Sequence, residues 1–143
     1  VSIPAINKMF EEENCDVVIG SRYVKGGKTG DAKSSIIMSK ILNTMFRVCL
    51  GIKAKDISTD YRMYHTAELK KVKLDCTNYD VLQEVLLKLR MNQPDGKLKI
   101  GEVPIEFNKR IYGESKRRLL PFILSYIKTL FRLTGMRMFG KRG

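Results

Sequence analysis

The spacing of apolar residues along the chain predicts four helices. Apolar residues three and four positions apart predict a short helix over 4–13, a long helix over about 33–50 and a third helix that starts near 80. Asn78 or Asp80 can cap the third helix. A fourth apolar-rich segment runs from Leu119 to Leu133, and Gly135 is expected to end it. The apolar positions that define the first three helices are Ile6, Met9 and Phe10; Ile37, Ile41, Met45 and Val48; and Leu82, Val85, Leu86 and Leu89.

Three segments between these helices have the composition of strands. The run 16–20 (DVVIG) predicts a buried strand that delivers Ser21 and Arg22 to its carboxyl end, where open α/β sheets bind ligands. Residues 57–64 predict a strand or the edge of one. Residues 98–108 contain Pro104, which predicts an edge position or an irregular ladder. Helices and strands that alternate in this way indicate an α/β fold.

The positive charge of the chain is concentrated near its C-terminus. The formal net charge is +12, of which 109–143 carry +9. Such a segment indicates an anionic partner: nucleic acid, phospholipid head groups or a phosphorylated substrate. In the helix over 119–133 the polar residues form one narrow stripe and the rest is apolar. This pattern suits the interface of an anionic membrane, and a core helix that ends near charged residues explains it equally well. The stripe comprises Ser125, Lys128, Thr129 and Arg132.

Composition argues against several classes of protein. Three cysteines without a C-x-x-C pair do not indicate a disulfide scaffold and fit a reducing compartment. No apolar run approaches the roughly 20 residues that span a bilayer, and no secretory leader is expected. His65 is the only histidine, and a lone histidine at the end of a strand is most often an ordinary surface or hydrogen-bonded residue, so no Ser/His/Asp triad is expected. There is no D-x-D pair and no Cys/His metal motif.

Cations beside glycine or hydroxyl residues are the remaining chemical signal. Arg22 follows Ser21, and Arg110 and Lys116 flank a segment that contains glycine and serine. Arginine suits bidentate phosphate binding, and lysine supplies a point charge. The basic loop 25–30 (KGGKTG) permits close backbone approach to a phosphate but lacks P-loop spacing. The simpler interpretation is that these are solvated surface cations.

Three longer segments carry motifs. Residues 16–27 read DVVIGSRYVKGG, residues 56–64 read DISTDYRMY and residues 102–116 read EVPIEFNKRIYGESK. Together they resemble, in order, the motifs of polyprenyl-phosphate glycosyltransferases of the dolichyl-phosphate mannose synthase type, in glycosyltransferase family 2. The second resembles an Asp-x-x-Ser-Gly-Phe-Arg segment and the third a Glu-Val-Pro-Ile-x-Phe-x-x-Arg-x-x-Gly-Glu-Ser-Lys motif. The resemblance covers nearly the whole chain.

The resemblance implies a GT-A fold that moves a sugar from a nucleotide sugar to a polyprenyl or dolichyl phosphate at the membrane surface. The lipid phosphate oxygen is itself a nucleophile, so cations that position the phosphates are expected to matter more than a general base. The catalytic residue is left unknown, and Asp80 is better explained as a helix cap than as a base. Mapped onto the motifs, the expected phosphate- and substrate-binding residues are Arg22, Ser39, Arg110 and Lys116.

The sequence departs from the family pattern in its helix motif and in its N-terminal half. It has no Trp, Ser35 stands where an arginine is usual, and Asp60 stands where glycine is common. The nucleotide-base pocket and the Asp-x-Asp metal ligands are not in this sequence. A divalent metal, Mg²⁺ or Mn²⁺, is therefore expected to bind outside it.

The domain organisation follows from the resemblance. Residues 1–116 are expected to form the C-terminal, acceptor-side half of the catalytic domain, and 117–143 a basic amphipathic membrane-interface helix and tail. The expected partners are the nucleotide sugar, the polyprenyl phosphate, a membrane surface and either the missing half or a second copy, but not nucleic acid. The chain is expected to be inactive alone and peripheral on the cytoplasmic face of a membrane. The alternative is a non-enzymatic basic module that binds nucleic acid or an anionic membrane.

Overall fold

A computed structural model of the chain describes residues 3–76, 80–108 and 119–140. These residues form helices and short strands that alternate, which confirms the α/β class. The helices are α1 (Ile3–Glu12), α2 (Lys33–Leu50), α3 (Thr66–Leu69), α4 (Val81–Asn92) and α5 (Leu119–Phe139). The strands are β1 (Val17–Ser21), β2 (Lys28–Thr29), β3 (Arg62–Tyr64), β4 (Ile100–Pro104) and β5 (Glu106–Phe107).

The larger sheet has β1 at its centre, in the order β3–β1–β4. β1 runs parallel to β4, with Val17 opposite Ile100, and antiparallel to β3, with Val17 opposite Tyr64. All five residues of β1 are buried. A strand that is covered on both faces is expected to be continuously apolar rather than alternating. This explains why the apolar run within 16–20 predicted β1 correctly.

Helices cover both faces of this sheet. Val17 and Ile19 lie in the main core, which α2, α4 and α5 complete. Val18 points to the other face and packs with Ile6 of α1. Because successive side chains in a strand point to opposite faces, β1 contributes to both halves of the core.

The bounds predicted for α2 are confirmed, but its predicted apolar positions do not lie in the core. Ile37, Ile41, Met45 and Val48 are exposed. The residues that face the core are Leu42, Phe46 and Leu50. The helix therefore has apolar residues on two opposite sides, and periodicity alone could not tell which side is covered.

The strands that follow are shorter than predicted. Only 62–64 of the predicted segment 57–64 form a strand. The segment 98–108 is divided after Pro104 into β4 and β5, which confirms an irregular ladder with β4 at the edge. The basic loop 25–30 contains β2, which pairs in parallel with β5.

The prediction that Gly135 ends the last helix is wrong. α5 continues to Phe139, because Met136 packs on the core and Arg137 donates hydrogen bonds to the carbonyls of Val48 and Cys49. A glycine inside a helix costs only about 1 kcal/mol, which such contacts offset. Tyr126, Leu130 and Leu133 of α5 are buried. None of the described helices has the length and hydropathy needed to cross a bilayer.

The polar stripe predicted on α5 is divided between solvent and protein. Ser125 and Lys128 are exposed, whereas Thr129 is buried and Arg132 bonds to Glu84 of α4. The core-helix alternative therefore describes this part of α5. Its role at a membrane stays a prediction, as does the division of the chain at 116/117, a boundary that lies outside the described residues.

Candidate functional site

The site is built at the carboxyl end of β1, where Arg22 leaves the sheet. Two glycines make room for this turn of the chain. A Cβ at Gly20 would lie 2.6 Å from Ile105, and a Cβ at Gly27 would lie 2.7 Å from the backbone of Ser21 and Arg22. Gly27 therefore serves the packing of the loop against the strand end, a need that the sequence alone did not distinguish from close approach to a phosphate.

Asp56 holds the side chain of Arg22 in a bidentate pair. Arg22 Nε donates to Asp56 Oδ2 at 2.7 Å and Nη2 donates to Oδ1 at 3.0 Å. The Arg22 backbone N–H also donates to Asp56 Oδ2, at 3.2 Å. The Asp56 side chain is fully buried and that of Arg22 is 11% exposed. Paired charges in this geometry restrict the guanidinium to one orientation.

Three polar side chains complete the cluster around Arg22. Its Nη2 also donates to Ser58 Oγ at 2.7 Å and lies 3.4 Å from Ser39 Oγ. Ser39 projects from α2, and Asn43, one turn further along, contacts Asp56 and Ser58 with its Nδ2 at 3.4 and 3.5 Å. The Asn43 Oδ1 accepts the backbone N–H of Ile57 at 3.1 Å. The helix α2 is thereby joined to the segment 56–58 and to the end of β1.

A second carboxylate anchors the segment that carries Asp56. Glu102 of β4 accepts the backbone N–H groups of Lys55, at 2.8 Å, and of Asp56, at 3.1 Å. Asp56 in turn accepts the N–H and hydroxyl of Ser58, at 3.3 and 2.9 Å. An Asx turn of this kind fixes a loop without regular secondary structure. Asp56 is therefore positioned by β4 as well as by Arg22.

Opposing effects act on the ionisation of the pair. Burial alone would raise the pKa of Asp56, but the hydrogen bonds and charge of Arg22 outweigh it and lower the pKa below its ordinary value. Burial alone would lower the pKa of Arg22, and Asp56 outweighs that effect in the same way. Both groups are therefore charged at neutral pH, and each depends on the other.

The remaining guanidinium nitrogen, Nη1, faces the loop that follows β2. It lies 3.6 Å from the carboxylate of Asp31, which is beyond hydrogen-bonding distance. The guanidinium also lies 5.1 Å from the ring centre of Tyr23 and 5.7 Å from that of Phe107. Asp56 holds the opposite edge of the guanidinium, so the orientation of Nη1 is already fixed. An anion that took the place of Asp31 would therefore meet an oriented hydrogen-bond donor.

The structure brings two of the four predicted binding residues together. Arg22 and Ser39 are 17 residues apart in sequence and contact each other in one cluster. Arg110 and Lys116 lie outside the described residues. The assignment of these four residues to phosphate or substrate binding stays a prediction.

Sequence reasoning missed the residues that position Arg22. Asp56 and Ser58 belong to a recognised motif but were not assigned to the site, and Asn43 was noted only by its spacing from Ser39. The Asp-x-Ser spacing at 56–58, which is typical of a side-chain-stabilised turn, was the available signal.

The prediction that Asp80 caps the third helix is correct for its position but wrong for the hydrogen bond of its side chain. Asp80 does occupy the N-cap position of α4, but its side chain makes no capping hydrogen bond there. One carboxylate oxygen instead accepts the hydroxyl of Thr129 on α5, at 2.8 Å. The backbone at Asp80 is already helical, whereas a capping side chain requires an extended N-cap residue.

Glu84, one turn along α4, forms a second contact to α5. Its buried carboxylate lies 2.8 Å from Arg132 Nη2 and 2.7 Å from Lys88 Nζ. Burial would raise the pKa of Glu84, but Arg132, Cys76 and Lys88 hold it well below its ordinary value. The contact with Arg132 joins α4 to α5.

The described residues do not fit the divalent metal that the resemblance implies. Over 3–76, 80–108 and 119–140, no three His, Cys, Asp or Glu side chains are grouped so that they could hold an ion. Asp56, the carboxylate nearest the predicted phosphate ligand, already accepts from Arg22 and Ser58. The metal and its ligands stay a prediction about residues outside this chain.

Two curated proteins are similar to the chain. The polyprenol monophosphomannose synthase of Mycolicibacterium smegmatis is 33% identical over 109 residues, which cover 73% of this chain and 40% of that protein. The dolichol-phosphate mannosyltransferase of Pyrococcus furiosus is 29% identical over 138 residues, which cover 90% of this chain and 36% of that protein. No family model matches the chain.

These relatives confirm the resemblance that the three motifs predicted. The chain spans about two fifths of the length of the curated relatives it matches, in agreement with a part of a longer catalytic domain. Both relatives are glycosyltransferases by name, and the alternative of a non-enzymatic basic module that binds nucleic acid or an anionic membrane has no support.

Proposed function

We propose that this homologue of polyprenyl-phosphate mannosyltransferases is the acceptor-side part of an enzyme that transfers a mannosyl group from a nucleotide sugar to a polyprenyl phosphate. The observation that carries the proposal is the contact of Arg22 with Ser39 at the carboxyl end of β1. Two residues named from separate parts of the family pattern thus lie in one cluster. The GT-A fold and the location at the cytoplasmic face of a membrane belong to the same proposal.

In this reaction an oxygen of the lipid phosphate attacks the anomeric carbon of the sugar. The bond from that carbon to the diphosphate of the nucleotide breaks, and the nucleoside diphosphate leaves with the electron pair. Two phosphate-bearing substrates repel each other, so donors that hold them lower the barrier by positioning and by offsetting charge. Residues of this chain would act on the acceptor phosphate.

Arg22 would contact the acceptor phosphate as an oriented donor. Asp56 neutralises much of the charge of Arg22, so Nη1 would orient the phosphate more than it would attract it. Ser39 adds a hydroxyl that can donate to a phosphate oxygen. Attraction of the phosphate would come from Arg110 and Lys116, which follow the Val-Pro-Ile strand in the sequence.

The test is mannosyl transfer by the full-length protein that contains this chain, with nucleotide-activated mannose and polyprenyl phosphate as substrates. Ser39→Ala and Arg110→Ala should each reduce transfer about tenfold or more, since each removes one hydrogen bond to a charged oxygen. Lys71→Ala, in an exposed pair with Glu68, is the matched control and should retain full activity. Unchanged transfer in both Ser39→Ala and Arg110→Ala would contradict the assignment of the site.

A further inference from the structure

The side chain of Arg62 is bound to backbone carbonyls rather than to a carboxylate. Its Nε donates to the carbonyl of Thr59 and its Nη2 to that of Ile57, both at 2.7 Å. Its Nη1 donates to the carbonyl of Leu82, also at 2.7 Å, and to the hydroxyl of Tyr64 at 3.3 Å. Among the described residues, no ion pair includes Arg62. Because the guanidinium is planar and rigid, it fixes the backbone at three points at once.

The segment that receives two of these bonds has no regular secondary structure. Each backbone N–H of 55–58 donates to a side chain instead, and the acceptors are Glu102, Asn43 and Asp56. The carbonyls of Ile57 and Thr59, which Arg62 binds, lie directly before and after Ser58. The shape of this segment therefore depends on side chains rather than on a helix or a ladder of backbone hydrogen bonds.

The same segment carries the groups that hold Arg22. Ser58 Oγ accepts a hydrogen bond from Arg22 Nη2 at 2.7 Å, and the carboxylate of Asp56 accepts from Nε and Nη2. Arg62 itself lies on β3 opposite Ile19 of β1, three residues before Arg22. Arg62 is thus joined to the strand that delivers Arg22, by its backbone, and to the segment that binds Arg22, by its side chain.

We propose that Arg62 is a positioning residue for Arg22 and that it acts through the two carbonyls beside Ser58. It fixes the peptide groups on either side of Ser58 and so directs the Ser58 hydroxyl toward Arg22 Nη2. Asp56, in the same segment, is held in place to bind the same edge of the guanidinium. The remaining nitrogen, Nη1, then keeps one direction, in which the acceptor phosphate would meet it. This last consequence rests on the proposed function, whereas the ordering of the segment does not.

Direct binding of a phosphate by Arg62 fits the geometry less well. Each of its three nitrogens already donates to a carbonyl at 2.7 Å, so an anion would have to replace those bonds. Lysine at this position would keep the charge but place its donors on one atom, which cannot reach three separate carbonyls as the guanidinium does. Arg62→Lys therefore removes the geometry and retains the charge.

Gln83 of α4 provides a weaker form of the same perturbation. It is 1% exposed, and its Nε2 donates to the carbonyl of Ile57 at 3.1 Å. Arg62 binds the same carbonyl and also that of Leu82, the residue before Gln83. Gln83→Met removes one of the two donors to Ile57 and leaves Arg62 in place.

The first measurement is hydrogen exchange, followed by mass spectrometry, on the full-length protein that contains this chain. Arg62→Lys should speed exchange in a peptide that covers 55–61 about tenfold, because the side-chain acceptors of this segment lose the fixed backbone on which they depend. Gln83→Met should speed exchange in the same peptide by a smaller factor. Arg90→Lys is the matched control, since Arg90 also donates to backbone carbonyls, but to those of Leu50 and Gly96. It should leave exchange over 55–61 unchanged.

The second measurement is mannosyl transfer to polyprenyl phosphate. Arg62→Lys should lower kcat/KM about tenfold in the wild-type background but less than about twofold in the Arg22→Lys background, because a residue that acts only through Arg22 then has nothing left to position. A loss of folded protein would instead lower transfer by the same factor in both backgrounds. Arg90→Lys should retain full activity.

Two results would overturn the proposal. One is exchange over 55–61 that Arg62→Lys leaves unchanged; if that variant loses the native circular dichroism spectrum, unchanged exchange in Gln83→Met has the same meaning. The other is an equal loss of transfer by Arg62→Lys in both backgrounds, which would assign Arg62 a role in folding alone or a contact of its own with substrate. Faster exchange over 55–61 in Arg62→Lys, in a protein whose wild type transfers no mannose, would support the positioning and contradict only the proposed function.

Discussion

Removal of the Asp56 carboxylate should destabilise the protein far more than removal of an exposed carboxylate in an equally short ion pair. Asp56→Ala leaves the guanidinium of Arg22, which is 11% exposed, without its buried partner. Breaking a buried pair from one side typically costs about 3–5 kcal/mol, because an uncompensated charge remains. Domains of this kind are stable by about 5–15 kcal/mol, so the loss would be a large fraction of the total.

Glu68→Ala provides the comparison. Glu68 and Lys71 lie 2.6 Å apart, against 2.7 Å for Arg22 and Asp56, but their side chains are 36% and 61% exposed. Exposed pairs contribute about 0–1 kcal/mol. The two substitutions therefore separate the effect of burial from that of distance.

The measurement is urea unfolding followed by far-ultraviolet circular dichroism, since the chain has no Trp to report by fluorescence. With a slope of about 2 kcal/mol per molar urea, Asp56→Ala should lower the midpoint by about 2 M. Glu68→Ala should lower it by less than about 0.5 M.

A second substitution tests the cause of the loss. Arg22→Met in the Asp56→Ala background removes the unpaired charge and should recover part of the stability, as replacement of both partners by apolar groups often does. Equal midpoints for Asp56→Ala and Glu68→Ala would refute the reasoning. So would a double variant that is as unstable as the sum of the two single variants predicts.

Three further results are expected. Folding lowers the pKa of Asp56 below its ordinary value of 3.8. The ionised carboxylate therefore stabilises the fold above that pH, and this stabilisation is lost as the pH falls through the pKa of the folded state. Acid unfolding of Asp56→Asn should accordingly depend less on pH over that range. Gly20→Ala should lower the free energy of unfolding by about 1–3 kcal/mol, since its Cβ would meet two side chains within 2.7 Å. Gly135→Ala has open space around it and should raise that free energy by about 1 kcal/mol. The midpoints of urea unfolding test both predictions. Asp31→Asn should lower the KM of the full-length enzyme for polyprenyl phosphate, because it removes the carboxylate that faces Arg22 Nη1, and an unchanged or higher KM would contradict this role.

The central strand and the long helix could be predicted from sequence because single, local features define them. β1 is five consecutive buried residues, and α2 ends at Gly51, which adopts the left-handed conformation that favours glycine. The orientation of α2 could not be predicted, because Ile37, Ile41 and Val48 form as regular a pattern as Leu42 and Phe46 do. Tertiary packing, which no local pattern encodes, selected the second set for the core.

The location of the candidate site could be predicted from the sequence, but the hydrogen bonds and ion pairs that position its residues could not. Arg22 was found because it follows a buried strand in an α/β pattern, and Ser39 because it matches a family motif. Asp56, which holds Arg22, lies 34 residues away in sequence, and only the fold brings the two together. A turn-forming Asp-x-Ser sequence has an adequate local explanation, so nothing in it requires a distant cation.

The charge balance of the cluster constrains how a lipid phosphate would reach it. Arg22 is paired with Asp56 and lies near Asp31, so this immediate set has one cation and two carboxylates. Such a set can orient a phosphate but does not attract one over a distance, since field strength depends on net charge. On the proposed function, attraction would therefore come from outside the cluster, where 32–55 contain five cations and no acidic residue and 109–143 carry a net charge of +9. On the proposed function, the cluster would orient the phosphate and the surrounding cations would attract it, so loss of surface cations should slow capture of the acceptor while loss of Arg22 or Ser39 should slow transfer from the bound state.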